Sequence, residues 1–184
     1  FGGRLDIENK VIRCVGDPVA RFTEDGLRCI RAIRFSSTLG FTIDEPTYYA
    51  IYKTAHIFRK VAVERIVQET NKILLSENAS SGLASMLDTE LLSSILPDSV
   101  LDHADLWKRF LSVDKVSDLE SKYAILLYSM KDPRPNLEWL KLPTKQIDRI
   151  VSLVKNHVPP DMQSTDLEVK LWDSKLNPDE SKNG

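Results

Sequence analysis

No apolar run in this 184-residue chain reaches the roughly 18 residues that a membrane-spanning helix needs, so no membrane partner is expected. Glycine is scarce, at seven residues, which argues against a glycine-rich β-sandwich and for helices. Cysteine is nearly absent. Cys14 and Cys29 show no CxxC spacing, and no secretory leader pattern opens the chain, so they read as reduced thiols of a cytoplasmic protein. An initiator Met is lacking too, and Phe1-Gly2-Gly3 reads as a cut rather than a beginning. Hydrophobic residues make up 42% and charged residues 28%, a balance that excludes a disordered polymer. A chain of this length hides roughly two-thirds of its unfolded surface, enough for a core without staples.

The net charge of -2 conceals an asymmetry. Residues 1–75 hold 12 basic and 9 acidic side chains, net +3; the remainder holds 13 and 18, net -5. The basic half is rich in arginine, at positions 4, 13, 21, 28, 31, 34, 59 and 65. Arginine suits planar, bidentate contacts to phosphates and bases, and a solvated surface with local salt bridges is the plain alternative.

Residues 1–16 read as extended and turn-like, with a short strand over Lys10–Val15 between glycine turns. Thr23 is the expected N-cap of a helix carrying Glu24 and Asp25 in its first turn and running to Leu39, where Gly40 stops it. Asp44 caps a second helix, with Pro46 in its first turn. A third covers Ala62–Leu75. Shorter helices are predicted over Ser81–Leu87, Thr89–Leu96, His103–Leu111, Asp118–Met130, Asn136–Leu140, Thr144–His157 and Asp166–Leu176, separated by prolines. The fold class is mainly α, with a short β/turn remnant at the N-terminus.

The informative stretch is Glu24-Asp25-Gly26-Leu27-Arg28-Cys29-Ile30-Arg31-Ala32-Ile33-Arg34-Phe35. On one continuous helix, Asp25, Arg28 and Arg31 fall within an arc of roughly 120°, with Ile30 and Ile33 opposite. A carboxylate accepts from an exocyclic amine, and an arginine donates to a neighbouring ring nitrogen. Cytosine and adenine present that order on their Watson–Crick edges, whereas uracil and guanine invert it. One Asp/Arg pair can thus accept C and A and reject U and G, each wrong pairing costing about 1–3 kcal/mol. An ordinary salt bridge on an amphipathic helix fits the spacing as well.

Phe1-Gly2-Gly3-Arg4-Leu5-Asp6-Ile7, Ile12-Arg13-Cys14-Val15-Gly16-Asp17-Pro18, Arg21-Phe22-Thr23-Glu24-Asp25-Gly26-Leu27-Arg28 and Arg31-Ala32-Ile33-Arg34-Phe35 follow in order. This series resembles the class II tRNA nucleotidyltransferases, the CCA-adding enzymes, and their relatives the bacterial poly(A) polymerases. Glu64-Arg65-Ile66-x-x-Glu69 resembles the next family motif, and Ser81-Gly82-Leu83 with Leu91-Leu92-x-x-Ile95-Leu96-Pro97 the start of the family's helical body. The specific match covers residues 1–97.

The resemblance implies an enzyme that adds C, C and A to tRNA 3′ ends from CTP and ATP, selecting the base with Asp25 and Arg28. Arg31 and Arg34 stand where the family places further nucleotide contacts, and the helical wheel favours Arg31. Glu24, Glu64 and Arg65 take supporting roles, bracing the selecting helix. Gly26 departs from the Ala or Pro usual there. The implied division is the end of a nucleotidyltransferase head over 1–22, a neck over 23–76, a helical body over 77–176 and a polar tail over 177–184. The family's Mg²⁺ carboxylates, spaced Asp-x-Asp, are expected in an absent head, so no metal ligand is assigned here and the chain alone is expected to be inactive. Partners are tRNA, CTP and ATP, with a homodimer left open. Alternatives are a poly(A) polymerase, a CC- or A-adding specialist, or a non-catalytic helical RNA-binding module. His56, His103 and His157 lack zinc spacing and read as surface or capping residues. Trp107, Trp139, Trp172 and the cluster Tyr48, Tyr49, Tyr52 read as packing residues, RNA stacking by the tyrosines being the alternative.

Overall fold

A computed structural model describes residues 2–102 and 104–156. It is mainly α, with two short strands. The expected helix over Asp166–Leu176, together with Trp172, His103 and His157, lies outside the described residues. Contacts divide the chain at Leu96/Pro97 into two compact units.

The first unit opens with α1 (Gly3–Glu8), where an extended segment was expected. Its single turn and a half is supported by the Arg4–Glu8 ion pair at 3.1 Å and buries nothing. Strand β1 is only Val11–Ile12. It pairs in parallel with β2 (Thr42–Ile43), Val11 opposite Thr42 and Ile12 opposite Ile43. Between them lie α2 (Pro18–Glu24) and α3 (Leu27–Leu39). Asp17 caps α2, accepting from Ala20 N at 2.6 Å. Gly40 ends α3 at φ 65°, the left-handed stop expected there.

Next come α4 (Glu45–Lys53), α5 (Ala55–Phe58), α6 (Val63–Leu74) and α7 (Ala79–Asp88). Asp44 caps α4 as expected, accepting from Thr47 N at 3.3 Å. Helix α3 packs on α6 and α7, and Ile30, Ile33, Ile66, Ile73 and Leu83 are all buried. Ser37 Oγ donates to Asn78 O at 2.9 Å, and Asn78 Nδ2 donates to Ser37 O at 3.0 Å, tying α3 to the α6–α7 turn. The helix expected over Thr89–Leu96 shrinks to a 3₁₀ turn, Leu92–Ser94. Leu91, Leu92, Ile95 and Leu96 are all buried.

The second unit holds α8 (Asp98–Leu101), α9 (Leu106–Val113), α10 (Leu119–Leu127), α11 (Arg134–Trp139) and α12 (Thr144–Asn156). Helix α10 packs on α9 and α12, and every residue from Ser121 to Leu127 is buried. Trp107 and Trp139 are exposed rather than core, Trp107 standing edge-to-face on Phe110 at 5.6 Å. Among the described residues no helix is long and apolar enough to cross a membrane.

Candidate functional site

The continuous helix expected from Thr23 to Leu39 is in fact two. Thr23 Oγ donates back to Val19 O at 2.8 Å within α2, and Glu24 is the last residue of that helix. Asp25 is extended, at φ -146° and ψ 101°. Its carboxylate accepts from Leu27 N at 3.1 Å, and its carbonyl from Arg28 N at 3.0 Å. Asp25 therefore caps α3 instead of riding in its first turn. The break is set by packing: Gly26 is buried so tightly that a β-carbon would meet the Ile57 carbonyl and Phe58 Cα at 3.2 Å. The i,i+3 relation survives, because an N-cap carboxylate faces the first turn where Arg28 stands.

Arg28 has no ion pair with Asp25. Its Nη1 lies 3.6 Å from Glu24 Oε2, which also accepts from Arg21 Nη1 at 3.1 Å. Arg28 and Arg31 open onto a cleft of about 280 Å³, walled also by Arg13, Cys14, Phe22 and Phe35. Arg31 is exposed and its side chain makes no hydrogen bond or ion pair among the described residues. Arg13 reaches Asp44 at 2.6 Å and Asp6 at 3.2 Å. Burial pushes the Cys14 thiol above its ordinary value, with Arg21 and Arg28 acting in the opposite direction. The cleft is thus a small cationic site with aromatic walls.

Arg34 is placed differently. Its Nε lies 2.7 Å from Glu69 Oε2, with the two side chains only 17% and 10% exposed. The contact joins α3 to α6 by charge pairing, and Glu69 Oε1 also accepts from Lys72 at 2.9 Å. Arg34 does not line the cleft. Glu64 and Arg65, the expected braces, sit on the exposed side of α6. Glu69, the last residue of their motif, joins α6 to α3 through Arg34. A signal existed: Glu69 shares the helical face of Ile66 and Ile73, both buried.

No group of three or more His, Cys, Asp or Glu among the described residues can hold a metal ion. Asp6 and Glu8 are engaged by Arg13 and Arg4. Among the described residues no carboxylate set fits Mg²⁺. His56 is exposed, and Tyr49 and Tyr52 are exposed rather than packed.

Residues 40–100 match the family described as "Probable RNA and SrmB- binding site of polymerase A". The chain is 48% identical over 91 residues to the CCA-adding enzyme of Ligilactobacillus salivarius, covering 50% of this chain and 22% of that one. It is 37% identical over 153 residues to the CCA-adding enzyme of Geobacillus thermodenitrificans, covering 80% and 37%. It superposes on the crystal structure of the Bacillus stearothermophilus CCA-adding enzyme in complex with CTP at a TM-score of 0.74 and 28% identity, covering 97% of this chain and 52% of that one. The chain spans less than half the length of these curated relatives. In its ordered motifs, its helical neck-and-body fold and these relationships, the chain belongs to the class II tRNA nucleotidyltransferase family of CCA-adding enzymes.

Proposed function

We propose that this chain is the neck and body of a cytoplasmic enzyme that adds C, C and A to tRNA 3′ ends from CTP and ATP, and that Asp25 and Arg28 select the incoming base. The observation that carries the reading is the α2–α3 break. It presents a capping carboxylate beside an arginine that opens onto a cationic cleft. One oxygen of Asp25 is held by Leu27 N, which orients the carboxylate; the other makes no hydrogen bond among the described residues. That oxygen accepts from the exocyclic amine of C or A, and the Arg28 guanidinium donates to the adjacent ring nitrogen. Glu24 steadies Arg28 through a long 3.6 Å contact that leaves guanidinium donors free. Arg31 extends toward the sugar or phosphates. Arg34 acts at one remove, by holding α3 on α6. The neck is assigned to 23–76 and the body to 77–176.

Phosphoryl transfer itself is metal-dependent chemistry, and no step of it is assigned to this chain, which is expected to bind nucleotide without transferring it. Its catalytic carboxylates are assigned to the part of the relatives that the chain does not span. The family description of residues 40–100 names polymerase A, which favours poly(A) synthesis as a second reading.

The test joins the chain to the catalytic segment of a relative and offers tRNA lacking its 3′ CCA. C and A should be incorporated over U and G by about tenfold or more, the value of an unpaired buried group. Asp25→Ala should collapse that preference while tRNA binding survives; unchanged discrimination would overturn the template assignment. Processive addition of A alone to any RNA 3′ end would establish the second reading.

A further inference from the structure

Helix α4 has two unlike sides. Thr47 faces the arginine cleft, and Ala50 and Ile51 are buried. Glu45, Tyr48, Tyr49 and Tyr52, at helical i,i+3 and i,i+4 spacing, line a separate groove of about 470 Å³, completed by Ile43 and by Asp88 from the end of α7. Tyr49 and Tyr52 are 61% and 50% exposed, an unusual outlay of aromatic surface to solvent. Tyr48 is fixed by donating to Asp88 Oδ2 at 2.9 Å, and burial and that carboxylate push its hydroxyl up to about 12, so it stays a neutral donor. Neither Glu45 nor Asp88 has a cationic partner among the described residues, and no lysine or arginine lines the groove.

Two carboxylates without counter-ions beside exposed aromatic faces make a receptor for a cation. An ammonium or guanidinium is attracted to the tyrosine faces, and a planar guanidinium also forks onto a carboxylate while stacking. A nucleic-acid strand would meet two uncompensated negative charges there, so stacking alone does not favour RNA. We infer that the α4–α7 groove is a docking site for an arginine-bearing segment of a protein partner, distinct in chemistry from the cationic cleft on the other side of α4. The inference is independent of the base-selection reading.

The test is NMR titration of the full chain with the peptide acetyl-Leu-Arg-Arg-Leu-amide, with its citrulline counterpart, and with a short oligouridylate. The arginine peptide should shift the resonances of Tyr49 and Tyr52, and the citrulline peptide should not. Tyr49→Ala with Tyr52→Ala should weaken the arginine peptide by about fivefold or more. Both side chains are exposed, so the fold should survive; if it does not, Glu45→Lys measures the same site and should abolish binding. Equal binding of the citrulline peptide, no response to these substitutions, or no shift at millimolar peptide would each overturn the inference. So would oligouridylate that shifts the same tyrosines and displaces the peptide, since the surface would then be one for RNA.

Discussion

At Gly82 a β-carbon would fall 2.5 Å from Ile73 Cγ2 and 3.0 Å from Ser37 Oγ, where α7 presses on α6 and α3. At Gly26 the nearest atoms are backbone at 3.2 Å. Neither glycine is needed for a left-handed conformation; both are needed for close approach. Gly82→Ala should therefore cost about 1–3 kcal/mol by overpacking, read as a lower urea midpoint. Gly26→Ala should cost less, because stiffening the unfolded chain returns about 0.4–1 kcal/mol. The buried thiol of Cys29 is also a single-residue effect. Desolvation pushes it from 9.0 up to about 11, against a hydrogen bond with Thr54 that acts the other way. A group that binds its proton more tightly when folded contributes stability that is complete below pH 9 and lost as pH rises through 11. The unfolding midpoint should fall over that window, and Cys29→Ala should flatten the fall.

Among the elements, α3 and α6 are joined by an ion pair nearly out of water. Removing one partner of such a pair leaves a buried charge, and Glu69→Ala should cost about 2–4 kcal/mol in urea unfolding. The same prediction separates two roles for Arg34. A nucleotide contact would make Arg34→Ala a binding variant of normal stability; the brace makes it a destabilised one. In the second unit Arg109 works similarly. It is 4% exposed, pairs with Asp105 at 2.6 Å, and donates to Leu126 O at 3.1 Å and Ser129 Oγ at 2.8 Å, so it ties α9 to the C-terminal end of α10. Arg109→Ala should cost about 3 kcal/mol. Helix boundaries were legible at Asp44 and Gly40, which act as the expected caps, whereas Asp17, read as part of a turn, caps α2. The α2–α3 break was not legible, because Thr23 and Asp25 are both acceptable N-caps. What decides between them is the backbone of α5, some thirty residues on.

Across the whole molecule the natural probes are segregated. Both cysteines precede Leu96, and all three tryptophans follow Pro97. Arg109→Ala should lower the tryptophan-detected unfolding midpoint, and Glu69→Ala should hasten native-state labelling of buried Cys29 by a thiol reagent.

The sequence by itself determined the mainly helical class, the Asp44 and Gly40 caps and the family, because hydrophobic spacing, capping chemistry and ordered motifs are local. It also placed Asp25, Arg28 and Arg31 together at one helix start. Only the tertiary structure decided that Asp25 caps a second helix, that Arg34 turns to Glu69 and away from the cleft, and that Tyr49 and Tyr52 face solvent. Each of those outcomes depends on which distant segment occupies the neighbouring space. Spacing along one helix carries no information about that.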